Sequence, residues 1–238
     1  MTDFAEIWSY LAGGPLIWLT ATLIAYAAGD ALARAAGHAP IANPVLVAVA
    51  LLAVLLWATD TPYATYFEGA QFVHFLLGPA TVALALPLYA QRAALRRVLL
   101  PVLAALLAGS ATALISALAI AAALGAGPDL LIALAPKSTT APVAIGIAET
   151  LGGSPTLTAV LVLTTGLIGA VVATPLLNAL KVRDWRARGL AVGVAAHGIG
   201  TARAMQVNPQ AGAFAGLGMG LNAVLTALAA PVLLALWL

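Results

Sequence analysis

Residues 98–125 read VLLPVLAALLAGSATALISALAIAAALG, a run without one charged side chain. A helix needs about 20 apolar residues to cross the hydrocarbon core of a bilayer, so this run is long enough to span a membrane. Its most frequent residues, alanine and leucine, are strong helix formers. Gly109, Ser110 and Ala111 lie near its middle, where small residues let neighbouring helices approach closely. The run therefore predicts a transmembrane helix packed against others.

The whole chain has the composition of a membrane protein. Of its 238 residues, 63% are apolar and 8% are charged, whereas a soluble domain is roughly half apolar and about a quarter charged. Its mean hydropathy is +1.06. The chain lacks the period-two alternation of a membrane barrel, and lipid tolerates only helices or closed barrels. We therefore expect an all-α, polytopic transmembrane helical bundle.

The few charged residues gather in short segments between the apolar runs. Two basic clusters lie at 92–97 and 181–188. Cytoplasmic loops of membrane proteins carry an excess of Lys and Arg, so these clusters account for the pI of 9.2 and we expect no nucleic-acid partner. The chain has no cysteine, which excludes a disulfide framework and a cysteine metal site.

Further apolar runs predict the other spans. Residues 1–6 are acidic, unlike the basic start of a signal peptide, so we expect residue 8 onward to form a retained span. The stretch 59–69 is polar and aromatic, which predicts an interfacial loop. Besides 98–125, the predicted spans are 8–34, 44–57, 71–90 with interruptions at Gly78-Pro79 and Pro87, 157–180 and 211–238.

The basic clusters also constrain the path of the chain. If both clusters are cytoplasmic, the span 98–125 leaves the cytoplasm and the span 157–180 returns to it. Residues 130–155 must then leave and re-enter on the outer face. They contain Ala-Pro-Lys-Ser-Thr-Thr-Ala-Pro at 135–142, which favours a broken, re-entrant segment. Such backbone persists at membrane depth only when it is buried in protein or lines a cavity.

A second polar interruption lies in residues 189–206, which start on the cytoplasmic side. They contain Ala-His-Gly-Ile-Gly-Thr-Ala-Arg at 196–203. Two broken segments that enter from opposite faces are typical of transporters built from inverted repeats. The stretches that begin at Thr81 and Pro142 are similar, but Ala-rich helices produce such matches by chance, so the sequence leaves an inverted repeat open.

Lys137 is the strongest candidate for a binding residue. A cation at bilayer depth is costly and persists only where something compensates for it. Ser138, Thr139 and Thr140 follow it, and three hydroxyls beside an ammonium can bind a carboxylate. A helix that begins near Pro142 would add its N-terminal N–H groups. The alternative is that Lys137 extends to the outer surface and binds nothing.

Arg203 is the second candidate, from the other interrupted segment. A guanidinium binds a carboxylate through two parallel hydrogen bonds, Thr201 lies nearby, and Gly200 would permit unwound backbone close to a ligand. Arg203 could instead be a cytoplasmic topology charge, because a turn signal follows at 208–209. His197 could carry a coupling proton, or it could simply make a hydrogen bond inside the bundle.

Four weaker candidates for coupling or supporting roles are His74, Thr81, Glu149 and Asn222. Asn222 lies well inside the last span, where a hydrogen bond between helices is the alternative role. The Gly-rich stretch 216–220 lacks the strand and the lysine of a nucleotide-binding loop. No Ser-His-acid set or metal-ligand spacing is recognisable, so we expect no enzymatic activity, no cofactor and no bound metal.

Taken in order, these motifs resemble the LrgB/CidB family from residue 43 to the C-terminus. The similar stretches are Asn43-Pro44, 75–89, 136–142, 151–159, 196–203 and 212–222. The resemblance implies a single LrgB-like transmembrane domain over 1–238. It also implies one of two functions. One is holin-like or antiholin-like control of murein hydrolase export and autolysis. The other is transport of small carboxylates such as pyruvate, or glycolate and glycerate as in the related plastid translocator.

We predict a secondary transporter of small monocarboxylates, and the sequence leaves both a proton and sodium open as the coupling ion. Residues 137–140 would bind the substrate from one side, and Gly200, Thr201 and Arg203 from the other. A holin, the alternative, makes large nonspecific lesions and has no need for a lysine–hydroxyl nest. The resemblance further implies the bacterial inner (cytoplasmic) membrane, a homo-oligomer and a smaller LrgA-type membrane subunit as partner.

Overall fold

The computed structural model describes residues 14–37, 39, 42–76, 79, 82, 89 and 92–237. Over these residues it contains helices and turns but no strand, which confirms the all-α prediction. The chain forms two compact units, Met1–Ala83 and Leu84–Leu238. Among the described helices, four are long and apolar enough to cross a membrane: Pro15–Ala35, Leu99–Ala123, Pro155–Ala179 and Pro209–Ala235.

The first unit contains three helices, α1 (Pro15–Ala35), α2 (Pro44–Ala58) and α3 (Tyr63–Phe75). The side-chain oxygen of Asn43 starts α2, because it accepts hydrogen bonds from the N–H groups of Val45 and Leu46 at 2.9 and 3.3 Å. Such an N-cap satisfies donors that have no partner inside the helix. In the predicted span 71–90, Gly78 and Pro87 lie outside the described residues.

The predicted interfacial loop at 59–69 is wrong over most of its length, because α3 begins at Tyr63. Tyr66 explains the difference. Its ring packs edge-on against Trp18 of α1, with ring centroids 6.0 Å apart, and its hydroxyl lies 3.2 Å from the Thr22 hydroxyl. Aromatic packing against α1 therefore orders this polar stretch as a helix, since such pairs add to the energy of burial.

The second unit holds the longer spans. Two of its helices, Leu99–Ala123 and Pro155–Ala179, confirm the predicted spans 98–125 and 157–180. Ser154 caps the latter helix by accepting a hydrogen bond from the Leu157 N–H at 3.3 Å, and Pro155 follows it, a favourable residue for a first turn. The helices are α4 (Arg92–Arg97), α5 (Leu99–Ala123), α6 (Pro128–Leu134), α7 (Ala141–Thr150), α8 (Pro155–Ala179), α9 (Trp185–Val207) and α10 (Pro209–Trp237).

The first interrupted segment is a hairpin of α6 and α7, which we call hairpin 1 (residues 128–150). A six-residue turn at 135–140 separates its two helices. Leu131 of α6 packs in the core that also contains Leu118, near the end of α5. Beyond α7, the backbone at Gly153 lies so close to Ile132 that a Cβ there would overlap the Ile132 side chain. The chain beyond α7 thus lies back against α6, as predicted for a re-entrant segment.

The second interrupted segment is α9 itself, which we call hairpin 2 (residues 185–207). The helix breaks at His197, where φ is 40° and ψ is −133°. Its first half runs alongside the start of α10, because Gly193 lies against the Ala215 backbone. Its second half returns, since Ala204 packs beside Val192 in one core cluster. Both ends of hairpin 2 are therefore on the same side, as predicted.

The two hairpins enter the bundle from opposite ends. Hairpin 2 packs through Val194 against the beginning of α5 and α10. Hairpin 1 packs through Leu131 against the far ends of the same two helices, including Leu118 and Leu234. A spanning helix followed by a hairpin thus occurs twice, as α5 with hairpin 1 and as α8 with hairpin 2. The two modules have the inverted arrangement found in many transporter folds.

Candidate functional site

The tip of hairpin 2 is fixed to the middle of α8. The Nε2 atom of His197 lies 2.9 Å from the Val162 carbonyl oxygen, and the Thr201 hydroxyl donates to the His197 carbonyl at 2.7 Å. Gly166 of α8 leaves room for the imidazole, because a Cβ there would lie 2.5 Å from its Cε1 atom. A positive φ at a non-glycine residue costs roughly 1–3 kcal/mol, and these contacts hold His197 in that conformation.

The tip of hairpin 1 is the turn that contains the predicted binding residues. Thr139 is fully buried, and its hydroxyl donates to the Pro136 carbonyl at 3.1 Å. The Nζ atom of Lys137 donates to the Ser138 hydroxyl at 3.1 Å. Thr140 is the N-cap residue of α7, but its side chain makes no capping hydrogen bond. The turn therefore uses one of its three hydroxyls to hold its own backbone.

Asn222 joins the two hairpins. It is 1% exposed, and its Nδ2 atom donates to the Ser138 carbonyl of hairpin 1 at 3.0 Å and to the Val194 carbonyl of hairpin 2 at 3.2 Å. Its Oδ1 atom accepts from the Ser110 hydroxyl of α5 at 2.5 Å and from Thr226 at 3.5 Å. One side chain thus connects both interrupted segments and two spanning helices.

This junction lies at the middle of the spanning helices. Ser110 is residue 12 of the 25 in α5, and Asn222 is residue 14 of the 29 in α10. Binding sites of transporters with broken helices lie near the bilayer midplane. The positions of these two residues therefore put the hairpin tips at the depth where such a site would be expected.

Lys137 brings a positive charge to this junction. It adjoins Ser138, whose carbonyl accepts the hydrogen bond from Asn222, and it is only partly exposed. Among the described residues it makes no ion pair, since the pairs present are Arg34–Asp30 and Arg186–Asp184. The structure thus brings together Lys137, Ser138 and Asn222, three of the residues that the sequence singled out, and Asn222 also bonds Val194, three residues before His197.

Arg203 occupies a different place from the one expected. It lies on the returning half of hairpin 2 and lines a cavity of about 30 Å³ with Arg188 and Trp185. Its Nε atom is buried without a hydrogen-bond partner among the described residues. The structure places no hydrogen bond between Arg203 and the described tip of hairpin 1, so Lys137 is the cation at the junction.

The remaining candidate residues are Gly200, Glu149, His74 and Thr81. Gly200 is buried, and a Cβ there would overlap the Ala196 side chain, so its role is close packing. The unwinding expected at this glycine occurs at His197 instead. Glu149 is exposed near the end of α7. His74 lies on α3, but its side chain is outside the described part of the structure, as is Thr81.

Two residues with structural roles, Ser110 and Arg188, were not predicted from the sequence. Ser110 appeared only as a small residue, although a hydroxyl in mid-span commonly bonds across helices. Arg188 appeared only as a topology charge, but it is 8% exposed and donates to the Asn178 side chain at 2.8 Å and to the Val182 carbonyl at 3.0 Å. The asparagine ten residues before Arg188 was the available signal.

Comparison with known proteins identifies the family. A model of the LrgB-like family matches residues 22–236. The chain belongs to the LrgB-like family. This match contains hairpin 1, hairpin 2 and Asn222, so the junction lies wholly within the region that defines the family.

Several relatives cover most of the chain. The uncharacterised protein YwbG of Bacillus subtilis (strain 168) is 36% identical over 192 residues, which cover 81% of this chain and 85% of that protein. The holin-like protein CidB of Staphylococcus epidermidis (strain ATCC 12228) is 32% identical over 198 residues, with coverage of 83% and 86%. The holin-like protein CidB of Staphylococcus aureus (strain N315) is 31% identical over the same length. No solved structure matches this LrgB-like chain.

Proposed function

We propose that this multi-pass membrane protein is a secondary transporter of small monocarboxylates, such as pyruvate, glycolate or glycerate. The observation that carries the proposal is the ammonium of Lys137, which has no acidic partner in the described residues and bonds the hydroxyl of Ser138, whose carbonyl is joined to hairpin 2 through Asn222. A cation at that depth needs a compensating partner. A substrate carboxylate would supply one through a charge-assisted hydrogen bond.

The substrate would bind mainly to hairpin 1. Lys137 provides charge, and the hydroxyls of Ser138 and Thr140 provide hydrogen bonds. The N-terminus of α7 points free N–H groups toward the same turn, which favours an anion. The hydroxyls of Thr139 and Thr201 would instead keep the two tips in shape, because both already donate to backbone carbonyls.

Alternating exposure would come from the opposed hairpins. Each hairpin enters from one end of the bundle, so movement of either tip away from Asn222 would open the junction toward a single side. His197, at the tip of hairpin 2, is proposed as the group that carries a coupling proton, because an imidazole changes charge near neutral pH.

A second candidate function is holin-like control of murein hydrolase export and autolysis. It is favoured by the names of the CidB relatives, which are called holin-like. A holin forms lesions that pass large solutes without selection. Such a role would require neither a carboxylate site nor Lys137.

The test is uptake of labelled pyruvate and glycolate into proteoliposomes. Lys137→Ala removes a charge-assisted hydrogen bond and should lower uptake by about 10- to 100-fold, whereas Lys137→Arg should keep part of it. The matched control is Lys181→Ala, which removes an exposed lysine from the turn before α9 and should leave uptake unchanged. Equal uptake by the wild type and Lys137→Ala would refute the proposal. Dye leakage graded by size and unaffected by Lys137→Ala would support the holin-like function.

We also propose the bacterial inner (cytoplasmic) membrane as the location, and a homo-oligomer that associates with a smaller LrgA-type subunit. Proteoliposomes should therefore be made with and without such a subunit. Uptake that appears only when both proteins are present would identify the subunit as an obligatory part of the transporter. Equal uptake without it would contradict that requirement.

A further inference from the structure

The second unit carries a groove outside the junction of the hairpins. It has a volume of about 530 Å³ and lies between α5 and the first half of α9. Val102, Leu190, Val194 and Phe214 form its buried floor. Its walls are lined by small residues of the two helices: Ala105, Gly109, Ala113, Ala187, Ala191 and Ala195.

The length of the groove matches one leaflet of a bilayer. Its lining residues run from Arg186 to Ala195 on α9 and from Val98 to Ala113 on α5. At 1.5 Å per residue these stretches are about 14 and 22 Å long. A helix that crosses the membrane needs the full hydrocarbon thickness of about 30 Å, whereas a lipid acyl chain occupies about half of it. The groove therefore suits an acyl chain rather than a spanning helix.

One end of the groove is strongly basic. Arg186 lines that end together with Asp184, which holds it in an ion pair at 2.6 Å. The hydrogen bond from Arg186 lowers the pKa of the Asp184 carboxyl to about 2, so this pair is close to neutral. Exposed cations adjoin the same end, among them Arg97, which precedes Val98, and Lys181 and Arg183, which precede α9. They make no ion pair among the described residues.

We propose that this groove binds an anionic phospholipid of the cytoplasmic leaflet. One acyl chain fills the apolar groove, and the phosphate of the headgroup lies among Arg97, Lys181 and Arg183. The basic end is the cytoplasmic end by the distribution of positive charge, and basic pockets on that side of membrane proteins bind anionic headgroups. The proposal is independent of transport, because neither the groove nor its basic end includes Lys137.

Native mass spectrometry of the purified protein in detergent tests the site. The probes are phosphatidylglycerol and phosphatidylcholine, and the expected result for the wild type is retention of phosphatidylglycerol in preference. Ala191→Phe fills the groove from α9 and Ala105→Phe fills it from α5, so each should abolish that preference. The control is Ala104→Phe, at an exposed position of α5 outside the groove lining, which should retain it.

A charge pair tests the headgroup contacts separately. Replacing Arg97 and Arg183 by Gln should weaken retention of phosphatidylglycerol by about tenfold or more, since each basic residue near the membrane surface contributes to anionic-lipid binding. Replacing Arg34 and Arg92 by Gln removes the same number of charges and should change retention little. If both double variants lose lipid equally, or if both groove-filling variants retain it like the wild type, the proposed site is wrong.

Discussion

The two hairpins both reverse the chain inside the bundle, but they interrupt their helices in different ways. Hairpin 1 interrupts its helices with the six-residue turn 135–140, which contains Pro136 and is followed by Pro142. The Thr139 hydroxyl of this turn donates to the Pro136 carbonyl. Hairpin 2 reverses within a continuous helical segment at one residue, His197, whose conformation depends on contacts with α8. The first break can be recognised from the local sequence, because proline cannot continue a helix. The second depends on tertiary packing.

The largest expected effect concerns how tightly each hairpin packs. A Cβ at Gly193 of hairpin 2 would overlap the Ala215 carbonyl oxygen, so Gly193→Ala must push α9 away from α10. Such overpacking typically costs about 1–3 kcal/mol and occasionally more, and we expect the upper end here because backbone has to move. Gly146→Ala in α7 of hairpin 1 meets open space and should stabilise the protein by up to about 1 kcal/mol, because Ala is the better helix former.

Reversible unfolding in detergent, followed by circular dichroism, measures both glycine variants. We expect Gly193→Ala to lower the free energy of unfolding and Gly146→Ala to raise it. Two changes of the same sign would show that the packing of hairpin 2 is no tighter than that of hairpin 1.

A somewhat smaller effect is expected at the residue that joins the hairpins. Asn222→Ala leaves the Ser138 and Val194 carbonyls and the Ser110 hydroxyl without their partner, which should cost about 2–3 kcal/mol when the bonds have the modest strength measured in membranes. The control is Thr226→Ala, whose bond to Asn222 is long at 3.5 Å. Its cost should be at most about 0.5 kcal/mol.

The same variant should loosen both tips together. The natural chain contains no cysteine, so Thr140→Cys and Gly198→Cys report on one tip each through labelling by maleimide. In the Asn222→Ala background both labelling rates should rise. Faster labelling at only one tip would show that Asn222 supports one hairpin rather than joining two.

The smallest effect separates backbone strain from side-chain contacts at the break of hairpin 2. His197→Gly and His197→Ala both lose the bond to Val162, but only glycine adopts a positive φ without strain. The glycine variant should be the more stable of the two by about 1 kcal/mol, although alanine is better by about 0.5–1 kcal/mol in an ordinary helix. Thermal unfolding shows which of the two variants is the more stable. Greater stability of His197→Ala would mean that the backbone at 197 is not strained.

Charge and hydropathy predicted most of the second unit. The positions of the basic clusters required residues 130–155 to return to the same face, and the prolines located that break within the turn now seen at 135–140. The other break was predicted within 189–206, but its exact position was not. We expected unwound backbone at Gly200, because glycine permits it. The conformation at His197 depends on contacts with Val162 and Gly166 of α8. The sequence of hairpin 2 alone does not indicate these contacts.

The first unit and the junction show where local patterns are insufficient. The stretch 59–69 has the composition of an interfacial loop, yet Tyr66 contacts Trp18, a residue far away in sequence, and the segment becomes helical. Lys137 and Asn222 were recognisable as polar residues in apolar surroundings. Their proximity was not, because Asn222 reaches the Ser138 carbonyl across 84 positions of the chain.

Lys137 is the only formally charged residue in the turn at 135–140, and this has an electrical consequence for a carrier of monovalent acids. A bound carboxylate would cancel the charge of the ammonium, so the loaded tip would move with no net charge and the empty tip with one positive charge. One elementary charge that crosses the full membrane potential changes the energy by about 2.3 kcal/mol per 100 mV. Voltage would then act mainly on the return of the empty tip, and on the passage of cargo only through a coupling proton.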